Sequence, residues 1–427
     1  MILFKILGKR VLLIVLMVFV CLGCSSVRKH VSEIEKVAEE DHFLMGFMLY
    51  DPDKEKILSN VNHDKYLNPA SNTKIATLFT ALKLLGDSVP ALKWTQTQDT
   101  LFIKGTGDPS LLHPHLKSER VIAFLKRSTA PTIVVDTGLY TEDTYGPGWA
   151  WEDYAYYFMP ERGSLPLYGN VITVAISQDS LKINPVTFEK NIIQEPKAYP
   201  RDRSHNIFYV PNSGATADTL EIPFITGDSL SFALLQELVG KKVISGTFPV
   251  SAGKVNTLYS VRTDEIYRPM MEKSDNFLAE QLMILSSALT GDTLSVKKSI
   301  DYALSELLPG LPQYPRWVDG SGLSRYNLFS PHDFVYILQK MYTDYELNYL
   351  FTLFPKVVLT EEAAFDEIPF IYAKPGSFSN NYCLSGFLVT RKGKTLIFSF
   401  MANHFTIPTR QVKKELYTML KAIAENY

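Results

Sequence analysis

The chain has 427 residues, which is long for one domain, and 46% of them are hydrophobic, enough for a substantial core. Its 43 basic and 45 acidic residues give a formal net charge of -2, which argues against the basic surface that a nucleic-acid partner requires. We therefore expect two domains, or one domain with a large insertion, and no nucleic-acid partner.

The N-terminus has the pattern of an export signal that ends in a lipid-attachment site. Three basic residues within 5–10 precede an unbroken apolar run at residues 11–20, which is too short to span a bilayer and fits the core of a signal peptide. The Leu-Gly-Cys sequence that ends at Cys24 resembles a bacterial lipoprotein processing box. We predict a lipoprotein signal peptide over 1–23 and a lipid anchor at Cys24, with the protein in the bacterial cell envelope, facing the periplasm. A plain signal peptide with an incidental cysteine, or an uncleaved anchor, is the alternative.

Cysteine usage is consistent with this prediction. Of the three cysteines, Cys21 would be removed with the signal peptide and Cys24 would be acylated, which leaves Cys383 alone. A single cysteine forms no intramolecular disulfide, so the mature chain depends on its core for stability.

The first part of the mature chain alternates between helical and β-like patterns. An amphipathic helix is predicted over Val31–Asp41, followed by two strands around the turn at 51–54 and a helix over Ser71–Leu85. From Trp94 to Val255 the pattern changes to short strands and loops, and residues 227–240 are assigned to it.

Helical patterns return after this segment, at residues 274–290 and 331–342. They are followed by a strand at 372–378, a hairpin at 385–405 and a C-terminal helix at 409–426. This order predicts an α+β fold with an antiparallel sheet that is built from both chain ends and flanked by helices. One domain would take residues 24–91 and 256–427, and residues 92–255 would form an inserted β-rich domain.

The start of the helix at Ser71 carries the first candidate for catalysis. Ser71 and Lys74 lie three apart, so their side chains share one helical face. A serine becomes a nucleophile when a neighbouring base takes its proton, and a lysine is such a base when burial or a nearby cation lowers its pKa. Taken alone, this spacing is more often a capping serine with a solvated lysine.

Two further motifs change that balance. Ser274-Asp275-Asn276 opens a predicted helix, and Lys374-Pro375-Gly376-Ser377 lies on a predicted strand. S-x-x-K, S-D-N and K-T-G occur together, in this order, in β-lactamases and penicillin-binding proteins. Chance explains one of these motifs easily and all three poorly.

With these motifs, the sequence resembles the penicillin-binding D-alanyl-D-alanine carboxypeptidase/endopeptidase family, whose members carry a large insertion between the first two motifs. A long segment does separate Lys74 from Ser274. Other resembling stretches are GTGDP at 105–109, PGWAWED at 147–153, DGSGLSRYN at 319–327 and FSFMANHF at 398–405. The resemblance covers nearly the whole mature chain and implies a β-lactamase/transpeptidase-like domain, a serine peptidase of peptidoglycan stem peptides, and β-lactam antibiotics as ligands.

The resemblance also implies a role for each motif residue. Ser71 would attack the carbonyl of a D-Ala–D-Ala bond and become acylated, and Lys74 would accept its proton. Ser274 would relay a proton to the leaving amine. Asn276 would bind the substrate's amide and hold Lys74, and Lys374 would supply positive charge near the substrate's carboxylate. No metal or cofactor is implied.

The third motif departs from the family pattern. Pro375 stands where the family has a hydroxyl residue, and proline is tolerated in strands mainly at an edge. We expect the strand to line an open cleft at the sheet's edge, where Gly376 leaves the approach clear. The resemblance implies that the N–H groups of Ser71 and Ser377 form an oxyanion hole. Pro375 is the best argument for a rival, a catalytically silent peptidoglycan-binding lipoprotein. A serine β-lactamase is a further rival, which the long insertion disfavours.

Overall fold

The computed structural model describes residues 27–177, 180–212, 218–249, 254–291, 293–357 and 370–427. The predicted signal peptide and Cys24 lie outside these residues. Among the described helices, none combines the length and apolar character needed to cross a bilayer.

Strands and helices follow one another along the whole described chain. The strands are β1 (Leu44–Asp51), β2 (Lys56–Val61), β3 (Ser88–Gln96), β4 (Thr100–Gly105), β5 (Thr132–Asp136), β6 (Val171–Ile176), β7 (Leu181–Asn184), β8 (Ile192–Ile193), β9 (Phe208–Tyr209), β10 (Asp218–Pro223), β11 (Lys242–Ser245), β12 (Asn256–Arg262), β13 (Lys356–Val357), β14 (Phe370–Phe378), β15 (Asn381–Val389) and β16 (Thr395–Asn403). The helices are α1 (residues 27–40), α2 (Thr73–Leu84), α3 (Arg120–Arg127), α4 (Asp228–Val239), α5 (Asp264–Glu272), α6 (Asn276–Thr290), α7 (Val296–Tyr302), α8 (Pro331–Asp344), α9 (Leu347–Leu353) and α10 (Thr409–Asn426).

These elements form two compact units. The first contains the described residues up to Ile75 together with Gly310–Arg316 and Asn327–Tyr427, and the second contains Ala76–Pro309 and Trp317–Tyr326. The domain boundaries derived from the sequence, 91/92 and 255/256, remain a prediction.

The first unit is an antiparallel sheet with the strand order β13-β14-β15-β16-β1-β2. The N-terminal strand β1 pairs along its length with the C-terminal strand β16, so both chain ends build the sheet, as predicted. Each strand buries alternate residues against α1 and α10, where Leu384 and Phe398 pack with Ile34 and Leu420.

The opposite face of this sheet is covered by α8 and α9. Phe351 of α9 stacks on Tyr372 with the ring centroids 4.0 Å apart, and α8 contacts β1, β15 and β16. The start of α8 is fixed by a capping box, in which Ser330 Oγ accepts the N–H of Asp333 and the Asp333 carboxylate accepts the N–H of Ser330. Because side chains alternate along β14, Lys374 lies on the same face as Tyr372.

The second unit holds a mixed sheet with the order β11-β5-β4-β3-β12 and a three-stranded antiparallel sheet, β10-β6-β7. Helices α3 and α4 pack on the mixed sheet through Val121, Leu125, Leu235 and Val239. The segment is rich in strands, as predicted. Its helix α4 contradicts the strand-and-loop assignment of residues 227–240, because this stretch is a regular helix that ends at Gly240 in a left-handed conformation, φ +68°.

Two strands at the margins of the predicted insertion lie side by side. β3 pairs antiparallel with β12, and Trp94 stands opposite Asn256. The segment between β3 and β12, which contributes β4, β5 and β11 to the same sheet, therefore begins and ends at neighbouring positions.

Candidate active site

Ser71 lies in a tight turn immediately before α2. Residues Ala70–Asn72 form one turn of 3-10 helix, so α2 begins at Thr73 rather than at Ser71. Ala70 takes a positive φ of 46°, and the Asn68 side chain accepts the N–H of Ala70 at 3.0 Å. This turn holds the half-buried Ser71 at the helix N-terminus, where free N–H groups favour negative charge.

Lys74 is within reach of the Ser71 hydroxyl. Its Nζ lies 3.1 Å from Ser71 Oγ, and its side chain is fully buried. The predicted nucleophile and its predicted base therefore share a hydrogen bond in an environment with little water.

A second buried lysine comes from strand β14. Lys374 is fully buried, and Nζ donates to the Pro375 carbonyl at 3.0 Å. Burial, followed by the charge of Lys74, holds the pKa of Lys374 well below its usual range. Because two like charges repel inside a protein, the pair favours fewer protons than two separate lysines would carry.

Asn72 connects the first motif to the third, a role that the sequence motifs do not predict. Its Nδ2 donates to the Lys374 carbonyl at 2.8 Å, and its side chain is fully buried. Its Oδ1 is buried with no hydrogen-bond partner among the described residues. The S-x-x-K pattern leaves this position open, so no signal in the motif identified it.

Gly376 allows β14 to lie against the Ser71 turn. A Cβ atom at this position would stand 2.7 Å from Pro69 O and 2.9 Å from Ser71 N. Both neighbours are backbone atoms and cannot rotate away. Only glycine fits at this distance.

Pro375 faces the open side of β14, where its missing N–H costs no sheet hydrogen bond. The N–H of Ala373 donates to Pro355 O, away from β15, and β14 pairs with β15 in unbroken register through Phe378. Since N–H directions alternate along a strand, the amide nitrogens of Pro375 and Ser377 also point away from β15. Among the described residues, the pairing of β13 with β14 ends at Tyr372. The expected edge position is therefore only partly met: β13 is the edge strand of the described sheet, and Pro375 lies beyond the part of β14 that pairs with it.

The second motif lies in the second unit, at the start of α6. Ser274 has a positive φ of 58°, and Asp275 caps the helix by accepting the N–H of Leu278 at 2.9 Å. Asn276 donates from Nδ2 to the Phe158 carbonyl at 2.8 Å. This bond ties the motif to the aromatic segment at 149–158.

Comparison with known proteins then assigns the family. The model of the D-Ala-D-Ala carboxypeptidase 3 (S13) family matches residues 28–198 and 225–425. The chain belongs to this family. It is 21% identical to D-alanyl-D-alanine carboxypeptidase DacB of Haemophilus influenzae, over 88% of this chain and 91% of that protein.

Solved structures support the same fold. The crystal structure of penicillin binding protein 4 (dacB) from Haemophilus influenzae has a TM-score of 0.72 and 19% identity, covering 91% of this chain and 99% of that one. Its complex with a novel β-lactam gives a TM-score of 0.64 at 18% identity, covering 89% and 96%. Membership of the S13 family confirms the predicted fold class and the predicted enzyme class, a serine-type D-Ala-D-Ala carboxypeptidase.

Proposed function

We propose that this S13 carboxypeptidase cleaves peptidoglycan stem peptides through an acyl-enzyme on Ser71. The observation that carries the proposal is the 3.1 Å contact between Lys74 Nζ and Ser71 Oγ, made by a buried lysine whose surroundings include a second buried lysine, Lys374. A buried amine in this position is suited to take the serine proton.

In the proposed reaction, Ser71 Oγ attacks the carbonyl carbon of the D-Ala–D-Ala bond while its proton passes to Lys74. The C–N bond then breaks, and Ser274 relays a proton to the departing D-alanine amine. Water attacks the resulting ester, returns a proton to Ser71 and releases the shortened peptide. Asn276 binds the substrate's amide, in keeping with its place beside Ser274 at the start of α6.

The negative charge that forms on the carbonyl oxygen needs donors. We assign these to the N–H groups of Ser71 and Ser377, each worth about 3–4 kcal/mol in comparable sites. The close approach of Gly376 to Ser71 N and the alternation along β14 support this assignment. Lys374 would become charged when the terminal carboxylate of the substrate supplies a counter-charge.

Penicillins would acylate the same serine, since a β-lactam presents a strained amide to Ser71. The β-lactam complex of the structurally similar protein from Haemophilus influenzae supports this part of the proposal. We expect labelled penicillin to form a stable adduct with the wild-type protein and none with Ser71→Ala. The exposed Ser305 provides a matched control, since Ser305→Ala should label like the wild type.

Three other outcomes would contradict the proposal. Rapid turnover of the drug would favour a β-lactamase, and a complete absence of labelling would favour a silent peptidoglycan-binding protein. On purified muropeptides, products that never lose D-alanine and never show a cleaved cross-link would exclude the stem peptide as substrate.

We further propose that the protein is an exported lipoprotein that faces the periplasm. The basic and apolar pattern of residues 5–20 and the processing box at Cys24 support this proposal. Lipid attachment would place the peptidase at the membrane, next to the peptidoglycan layer.

A further inference from the structure

A buried carboxylate lies on the helix that carries the second motif. Glu280 is fully buried one turn after Asn276 on α6. Its Oε1 accepts the N–H of Ser321 at 2.7 Å, and its Oε2 accepts Arg162 Nη1 at 3.0 Å. Glu280 therefore joins α6 to two separate loops.

The first of these loops, residues 319–324, also contacts α2. The Gly320 carbonyl accepts the hydroxyl of Thr77 at 2.6 Å, and Thr77 lies one turn after Lys74 on α2. A Cβ atom on Gly320 would stand 2.7 Å from the Ala279 carbonyl of α6. The loop thus touches α2 and α6 at once.

Asp319 gives this loop its shape. Its carboxylate accepts the N–H groups of Gly322 at 2.9 Å and Ser324 at 2.6 Å, and the indole N–H of Trp149 at 2.9 Å. With so many bonds to one carboxylate, the loop has little freedom to move.

The second loop is the segment that contains Arg162, and the Arg162 side chain holds it in place. Its Nη2 donates to the carbonyls of Asp143 and Tyr145 at 3.2 and 3.3 Å, and it lies 3.5 Å from the carboxylate of Glu142. Among the described residues, Arg162 is the cation paired with Glu280, Asp319 is a carboxylate whose charge acts on Glu280, and Glu142 is a second partner of Arg162.

With the Asp319 carboxylate nearby, the ionised form of the buried Glu280 is unfavourable. Burial, and next the charge of Asp319, raises the pKa of Glu280 to about 7, although Arg162 opposes the change. The phenol of Tyr140, influenced by Arg162, Glu142 and Glu280, has a raised pKa mainly because it is buried. An apolar residue would avoid the cost of burying this carboxylate, so a role other than stability must be considered.

We propose that Glu280 is a positioning residue of the peptidase reaction. Its carboxylate binds both loop 319–324 and the Arg162 side chain to helix α6, and these contacts set the orientation of Ser274 and Asn276 at the start of that helix. The proposal rests on the roles assigned above to these two residues. It also makes the positioning dependent on pH, because the ionised carboxylate accepts from both Ser321 and Arg162, whereas the protonated form has one acceptor fewer.

The test measures the rate of penicillin acylation and the melting temperature of the full chain between about pH 5.5 and pH 9. Glu280→Gln should fold and lower the acylation rate roughly tenfold, and the rise in rate centred near pH 7 should disappear. Ser286→Ala is the matched control, since Ser286 is buried on the same helix and its hydroxyl donates to the Leu282 carbonyl. It should lower the melting temperature and leave the pH profile unchanged.

Glu142→Gln provides a second measurement if Glu280→Gln does not fold. It removes one negative charge beside Arg162 and should move the rise in rate to lower pH by roughly half a unit. The proposal is overturned if Glu280→Gln melts earlier but keeps the wild-type rate and profile, or if Glu142→Gln leaves the profile unmoved. Absence of any Ser71 adduct in the wild type would instead contradict the proposed function, so the two failures are distinguishable.

Discussion

At the scale of single residues, the neighbours of Lys74 matter as much as the lysine itself. The buried residue Asn72 precedes Lys74 by two positions. Its amide donates to the Lys374 carbonyl and carries no charge. A carboxylate at this position would instead stabilise the protonated forms of the nearby lysines.

Asn72→Asp should therefore weaken the proposed base. The new carboxylate would favour protonated lysine, so we expect the acylation rate at pH 7 to fall roughly tenfold. The part of the pH profile that reports lysine deprotonation, which is separate from the rise assigned to Glu280, should move to higher pH. The pH dependence of penicillin labelling measures both effects. Asn170→Asp is a suitable control, because Asn170 is also buried and donates to a carbonyl, that of Glu161. An unshifted profile for Asn72→Asp would show that Asn72 has no electrostatic role.

The motif residues could be identified from the sequence because each motif has a fixed spacing of residue types that its chemistry requires. Asn72 could not, since its partner Lys374 lies 302 positions away. Only the return of β14 to the Ser71 turn brings the two together.

At the scale of elements, β14 lies so close to the Ser71 turn that there is no space for a side chain at Gly376. A single added methyl group at Gly376 would press on backbone atoms of Pro69 and Ser71. The strand would have to move away from the nucleophile, and with it the proposed oxyanion donor of Ser377.

Gly376→Ala should therefore fold and lose most of its acylation, by roughly two orders of magnitude if one oxyanion donor is displaced. Gly86→Ala is the matched control, since a Cβ atom at Gly86 meets nothing within 4 Å. Stopped-flow measurement of penicillin acylation compares the two variants. Equal acylation rates for Gly376→Ala and Gly86→Ala would mean that β14 can accept a methyl group at Gly376 without moving.

Sequence patterns predicted the sheet strands of the first unit better than the helices of the second. β15 and β16 read as runs rich in apolar residues because both faces of each strand are buried, one of them against α1 and α10. For α4 the strand-rich flanks misled the assignment, although its Leu, Ala, Gln and Glu residues favour a helix and Gly240 is a typical helix stop.

At the scale of the whole molecule, the proposed lipid anchor determines where the enzyme acts. Cys24→Ser should move the protein from the membrane fraction to the soluble periplasmic fraction, because the acyl chains would have no thiol to attach to. Detergent phase partition and intact mass measure this change. Cys21→Ser is the control and should remain membrane-bound. A wild-type protein whose intact mass shows no acyl chains on Cys24 would refute the lipid anchor.

The sequence allowed us to predict that both chain ends build one sheet, because β1 and β16 are both apolar and lie near the beginning and the end of the order of elements. The charge network around Glu280 could not be predicted from it. It joins residues from Glu142 to Ser324 whose polarity alone suggests exposed loops, and only the tertiary fold shows that Arg162, Glu280 and Asp319 are buried.

The pairing of β3 with β12 has a consequence for how such a chain can change in length. Since Trp94 and Asn256 are direct partners, a hairpin turn of about two to five residues would suffice to join the two strands. The segment between them begins and ends at one place and contributes β4, β5 and β11 to the same sheet. Its loops can therefore lengthen or shorten over evolution while β3 and β12 keep their register.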